Sequence, residues 1–298
     1  MVMEDDLILF DRLNIIRDVV NKYGQENFYI SFSGGKDSTV LHYLVDEALP
    51  GNNIPRVFVN TGIEYIDIVK YVKQIAKEDD RIKIINPSRN VKKTLEKDGY
   101  PFKSKEFSHV LAIYQRSGMQ KTVIRYLNDE RSKYKCPNTL RYMFQDNFNV
   151  KISEKCCLRL KKEPFKKWEK ENKKSITLTG MMATEGGLRE SIPSCIIKNK
   201  NGDIKKFHPL LKATNEWEEW YIKERNIKLC KLYYPPFNFN RTGCKGCPFA
   251  LGLQEQLETM EHFLPAERKQ CEYLWKPVYG EYRRIGYRLK MNEQQKLF

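Results

Sequence analysis

Apolar positions in the first part of the chain switch between two periods. In residues 7–23 they fall at Leu9, Leu13, Ile16, Val19 and Val20, a helical spacing that Gly24 ends. Residues 28–32 form a short apolar and β-branched run. Helical spacing resumes at Val40, Leu41, Leu44 and Val45. Residues 56–60 are a second buried strand, residues 66–76 a second amphipathic helix and residues 82–85 a third strand. Strands alternating with helices predict a parallel sheet wound on both faces by helices, with ligands outside the carboxyl ends of the strands. From Arg89 to about Phe148 the chain is charged and helical without long apolar strands. It therefore reads as a helical insertion. Residues 175–180 return to strand character. Residues 192–197 and 204–207, joined by Lys-Asn-Lys-Asn-Gly-Asp, predict a hairpin, and a helix follows from about Asn215 to Arg225. Two last helical stretches cover residues 253–263 and 267–288. The expected organisation is residues 1–88 and 151–240 as the two halves of one α/β domain, 89–150 as the insertion and 241–298 as a cysteine-containing helical tail.

The junction of the first strand and second helix reads Ser31-Phe-Ser33-Gly34-Gly35-Lys36-Asp37-Ser38. Adjacent glycines reach backbone angles closed to other residues, and their amides converge with the unpaired N–H groups of a helix start to cradle an anion. A Walker A loop needs four residues between its first glycine and Gly-Lys-Ser/Thr, and a dinucleotide fingerprint needs G-x-G-x-x-G; neither spacing is present. Asn60-Thr61-Gly62 ends the second strand and is expected beside this loop.

The run Ser33-Gly-Gly-Lys-Asp-Ser38 resembles the pyrophosphate loop of the ATP pyrophosphatase and adenine nucleotide alpha-hydrolase superfamily, which includes the phosphoadenosine phosphosulfate (PAPS) reductases. The resemblance implies a doubly wound α/β fold of that type. It also implies that Ser31, Ser33, Gly34, Gly35, Lys36, Asp37 and Ser38 bind ATP or a PAPS-like adenine nucleotide, with Asp37 near a magnesium ion. Asn60, Thr61 and Gly62 stand where that family carries an adenosine-binding Asp-Thr-Gly. Gly180, Glu185 and Arg189 resemble its Thr-Gly with following Glu and Arg, which position phosphate or sulfate. Lys36, Asp37 and Arg189 are the catalytic candidates.

Eight cysteines in a chain of 298 residues, two adjacent and two in C-x-x-C, are a poor disulfide framework. A C-x-x-C turn sets two thiolates on one side of a loop, and two more sulfurs complete a metal site. Cys156-Cys157 with Cys244 and Cys247 resembles the set that binds a [4Fe-4S] cluster in assimilatory sulfonucleotide reductases, and Cys271 is a competing ligand. Four thiolates serve zinc equally, so residue type leaves both metals open. Cys136, Cys195 and Cys230 are expected to be buried fillers. The pattern departs from the reductases in two respects: Met182 and Ala183 stand where they carry arginine, and no cysteine follows Cys271 in the Glu-Cys-Gly setting of their nucleophile.

Charge adds a further class of partner. The formal net charge is +15, and residues 151–174 alone hold ten Lys or Arg, which suits an anionic partner, tRNA or DNA, or a sulfur-donor protein. Trp275, Tyr279, Tyr282 and Tyr287 interleave with basic residues in a pattern suited to stacking on nucleic acid or to packing on the domain. No apolar run approaches a membrane span, and the acidic start is unlike a signal peptide, so a soluble cytoplasmic protein is expected. Three reaction classes follow: sulfur-related adenylation with release of pyrophosphate, sulfonucleotide reduction by an external thiol, and nucleotide sensing or nucleic-acid binding within a larger assembly.

Overall fold

A computed structural model describes residues 2–129, 135–185 and 189–291. In chain order its elements are α1 (Val2–Tyr23), β1 (Phe28–Ser31), α2 (Lys36–Ala48), β2 (Arg56–Val59), α3 (Ile66–Glu78), β3 (Ile82–Ile85), α4 (Val91–Asp98), α5 (Lys105–Ser117), α6 (Lys121–Asn128), α7 (Lys155–Cys157), α8 (Glu163–Glu171), β4 (Ile176–Leu178), β5 (Ile196–Lys198), β6 (Ile204–Phe207), α9 (Asn215–Glu224), α10 (Leu253–Phe263) and α11 (Pro265–Arg284). No helix among the described residues is long and apolar enough to cross a membrane. The chain divides into two units. The first comprises Met1–Asn60, Ile66–Asn86 and Pro164–Gly243; the second comprises Thr61–Tyr65, Pro87–Glu163 and Cys244–Phe298.

The first unit holds the whole sheet, in the order β3-β2-β1-β4-β6-β5. All pairings are parallel except β5 against β6. The order runs outward from β1 in both directions, so the carboxyl end of β1, Ser31, lies at the switch point where such sheets open a crevice. β1 pairs Ile30 with Arg56 on one side and with Leu178 on the other. The predicted hairpin is present as β5 and β6, but β5 begins at Ile196 rather than Ile192. Pro193 lies in the missing part and has no N–H to offer a ladder.

Tyr29, Val57 and Trp168 pack together in this unit with Ile85 and Phe165. The Tyr29 hydroxyl donates to Glu169 Oε1 at 2.7 Å, which serves the one polar atom of a buried ring. A more demanding guest is Arg56, whose side chain is 0% exposed. It donates to Asp46 Oδ1 (2.6 Å), Asn52 Oδ1 (2.9 Å) and His42 Nδ1 (3.1 Å). Arg81 adds paired bonds to Asp46 and Asp79. Burial, then the Arg56 charge, lowers the His42 pKa to about 4, so its ring is neutral and can accept from Arg56. His42, Asp46 and Asp79 cluster tightly enough to suit a cation, but the two guanidinium groups already neutralise them.

The second unit is helical and aromatic. Phe102, Phe107, Tyr126 and Phe144 meet at ring centroid separations of 5.7 to 6.3 Å. Trp275, Tyr279 and Tyr282 of α11 are 0% exposed. Tyr282 donates to the Pro248 carbonyl and Tyr279 to the Gly246 carbonyl. The stacking surface for nucleic acid is therefore corrected for these three aromatics: α11 buries all three rings, and its two tyrosines spend their hydroxyls on backbone carbonyls.

Asp46→Asn tests the Arg56 network. Removing one partner of a buried ion pair leaves its charge uncompensated, so the variant should lose about 3 kcal/mol of unfolding free energy in urea at pH 7. Burial opposes ionisation of Asp46, but Arg81, Arg56 and Asn52 outweigh it and lower its pKa. Its stabilisation is thus present above the ordinary carboxylate range and lost as pH falls through the lowered value. The gap between wild type and variant should close only in that acid range.

Candidate functional site

β1 ends in a turn that has no room for side chains. Gly34 has φ +69, and a Cβ there would lie 2.6 Å from Val72 Cγ2. Gly35 is the N-cap of α2 and has no side-chain cap of its own. The loop closes on its serines: the Ser33 N–H donates to Ser38 Oγ at 3.1 Å, the Gly35 N–H donates to Ser33 Oγ at 3.2 Å, and the two hydroxyls meet at 2.9 Å. Ser38 Oγ and Thr39 Oγ1 both donate to the Gly35 carbonyl. These bonds hold the turn rigidly around the start of α2.

Three residues that sequence reading missed complete the surroundings. The Tyr233 hydroxyl accepts from the Lys36 N–H at 3.0 Å and is braced by Thr242 Oγ1, also at 3.0 Å. Glu218 of α9 is 0% exposed and meets Lys36 Nζ at 3.0 Å. Burial, then the neighbouring Asp37, pushes the Glu218 carboxyl up to about 7. Burial pushes the Tyr233 phenol up to about 12, so its hydroxyl is neutral. No local spacing marks these residues, because the fold alone brings residues 218, 233 and 242 to residue 36.

Of the other nucleotide candidates, Gly180 follows β4, and a Cβ there would lie 2.4 Å from the Asp37 carbonyl oxygen. Only a glycine lets the end of β4 press against the loop backbone. The preceding Thr179 Oγ1 lies 2.6 Å from Nδ1 of buried His208. Burial, then Lys206, lowers that histidine to about 4, and it serves as a neutral packing group. Ser31 ends β1, and Asn60 follows β2 with its N–H on the Ile85 carbonyl. Thr61 and Gly62 belong to the second unit, where Thr61 gives both its N–H and its hydroxyl to Glu64. Arg189 is partly buried. The side chain of Glu185 and residues 186–188 lie outside the described residues. Ser104 caps α5 by accepting from the Phe107 N–H at 3.1 Å.

In the second unit Cys156, Cys157, Cys244 and Cys247 line one cleft together with Ile63, Leu160, Lys161 and Trp275. A five-residue π-helical turn, Leu158–Lys162, follows the Cys-Cys pair. It carries Lys161 to within 3.8 Å of Glu64 Oε1. Burial raises the pKa of Cys156 and Cys244 and takes Cys247 to about 12. The Lys161 pKa is raised by its neighbours Cys244 and Glu64 against burial. The Trp275 indole N–H is buried with no hydrogen-bond partner among the described residues. Cys271 is outside the cleft; it packs beneath the C-x-x-C turn, its Sγ 2.8 Å from where a Gly246 Cβ would stand. Cys136, Cys195 and Cys230 are buried.

The family model described as phosphoadenosine phosphosulfate reductase domain matches residues 27–120 and 113–250. An uncharacterized protein of Methanocaldococcus jannaschii is 25% identical over 249 residues, covering 81% of this chain and 47% of that protein. The chain thus spans about half the length of this curated relative. Among solved structures, the phosphoadenylyl-sulfate reductase of Candida auris in a phosphate complex is similar at 15% identity and a TM-score of 0.45, over 74% of this chain and 83% of that one. Yeast FAD synthetase in complex with FAD is similar at 10% identity and a TM-score of 0.48, over 90% and 78%.

Gly180→Ala should displace the Asp37 peptide and cost about 1–3 kcal/mol in urea unfolding, the usual range for overpacking. Gly280→Ala on α11, where a Cβ meets nothing within 4 Å, should be neutral or stabilising. Equal effects of the two substitutions would show that the approach of β4 to the loop is not tight.

Proposed function

The chain belongs to the phosphoadenosine phosphosulfate reductase domain family, and from this we propose that it is an enzyme acting at the α-phosphate of an adenine nucleotide held by Ser33–Ser38. The observation that carries this reading is the loop itself: a glycine turn at the sheet's switch point with Lys36 at the first position of α2. In the favoured reaction an acceptor oxygen attacks the α-phosphorus of ATP. The bond between the α-phosphorus and the bridging oxygen breaks, pyrophosphate leaves with the electron pair, and an acceptor adenylate forms for a sulfur nucleophile to displace. Lys36 and the loop amides supply positive charge where the leaving group becomes more negative.

The four-cysteine cleft supports a resident [4Fe-4S] cluster. The unpartnered Trp275 N–H in the cleft lining suits a group whose sulfides accept hydrogen bonds. Cys156, Cys157, Cys244 and Cys247 would hold the cluster, with Lys161 offsetting its negative charge. Bound there, it would supply electron-transfer or Lewis-acid chemistry. Protein purified without oxygen should be brown and contain about four irons and four sulfides per chain. Cys247→Ala should lose most of this iron and Cys271→Ala should keep it. One zinc per chain and no iron would replace the cluster with a structural metal site.

A second reading, reduction of a sulfonucleotide by an external thiol, is favoured by the pairing of this family membership with the cysteine cleft. Incubation with labelled ATP and, separately, with PAPS distinguishes the two. Release of AMP and pyrophosphate from ATP is expected. Thiol-dependent sulfite release from PAPS would select the second reading, and turnover of neither nucleotide would remove both.

A further inference from the structure

The loop that is to receive phosphate already has acceptors on its donors. Those on the Ser33 and Gly35 amides are the loop's own serine hydroxyls. The two on Lys36 come from distant parts of the first unit: the Tyr233 hydroxyl on its amide, and the Glu218 carboxylate on its ammonium. Both hold positions that phosphate oxygens would need. Tyr233 Oη is 3.0 Å from the first amide of α2 and is held there by Thr242. It lies 3.1 Å from where a Gly35 Cβ would stand, directly over the glycine turn. Glu218 is fully buried, and neither of its carboxylate oxygens accepts an aligned hydrogen bond among the described residues. A buried carboxylate sustained by one ammonium contact is an expensive arrangement for a purely structural role. The charged groups acting on it are Lys36 and Asp37 of α2 and Glu219 of its own helix, so its only favourable partner among these is the lysine.

We propose that Tyr233 and Glu218 are internal stand-ins for phosphate oxygens, and that the loop binds nucleotide by exchanging both for oxygens of the ligand's terminal phosphates. This rests on the reading of the loop as a nucleotide site and adds a regulation to it: affinity is set by the strength of the two contacts that ligand must displace. Removing a stand-in destabilises the free protein and leaves the complex untouched, so binding tightens. A residue that contacted the bound phosphate would have the opposite effect when removed.

The test is calorimetric titration with inorganic pyrophosphate and with ATP. Tyr233→Phe should bind both about fivefold tighter than wild type, the value of one ordinary hydrogen bond. Glu218→Gln should bind about tenfold tighter, as expected for a charged contact. In a Lys36→Met background the Glu218→Gln gain should vanish, because no ammonium remains to be released; simple charge repulsion between Glu218 and the ligand would persist there. Circular dichroism verifies that each variant is folded. Unchanged or weaker binding by either folded single variant, or a Glu218→Gln gain that survives without Lys36, overturns the proposal and leaves the nucleotide site standing. Absence of binding by wild type and all variants removes the nucleotide site and this inference together.

Discussion

The first amides of α2 emerge at the end of the central strand β1, where neighbouring elements press closely around the glycine turn. A helix start leaves four N–H groups without intrahelical partners, and Gly35 as N-cap offers none of the usual side-chain relief. The surroundings answer that demand. Ser33 and Ser38 fold back onto the turn, Gly180 brings the end of β4 against the Asp37 backbone, and Tyr233 with Thr242 reaches the Lys36 amide. The same unfilled donors that make the turn hard to bury make it suited to an anion.

Charge is handled by one device in three parts of the molecule. A buried ion is kept within reach of a more exposed opposite charge. Arg56 has Asp46 beneath the sheet, Lys36 has Glu218 at the loop, and Lys161 has Glu64 beside the cysteine cleft. The three differ in how completely the charges are served. Arg56 is bonded on several sides and is structural. The Lys36 contact is single and Lys161 is shared between Glu64 and Cys244, and these two lysines stand at the sites proposed for chemistry.

The two sites also differ in how they use burial. In the loop, burial keeps Tyr233 and His208 neutral, so that hydroxyl and imidazole act as hydrogen-bonding and packing groups. In the cleft, burial raises the thiols of Cys156, Cys244 and Cys247, which favours their protonated forms until a positive group arrives. Lys161 supplies some of that positive charge through Cys244. Cys271, with a similar burial, packs beneath Gly246.

What the sequence determined by itself is whatever depends on neighbours in the chain. The alternation of β-branched runs with helical spacing specified the parallel sheet, and adjacent glycines between Ser33 and Lys36 specified a turn that cradles an anion, because both follow from local backbone geometry. The paired spacings of Cys156-Cys157 and Cys244-x-x-Cys247 marked them as candidate sulfur ligands for the same reason. Tertiary structure alone decided what those local features face. It packed Cys271 beneath Gly246, buried the rings of Trp275, Tyr279 and Tyr282 that spacing alone left unplaced, and committed Thr61 to Glu64. It also brought Glu218 and Tyr233 to Lys36. Such meetings depend on which strands pair and which helices cover them, and a period of 2 or 3.6 carries no record of partners nearly 200 residues away.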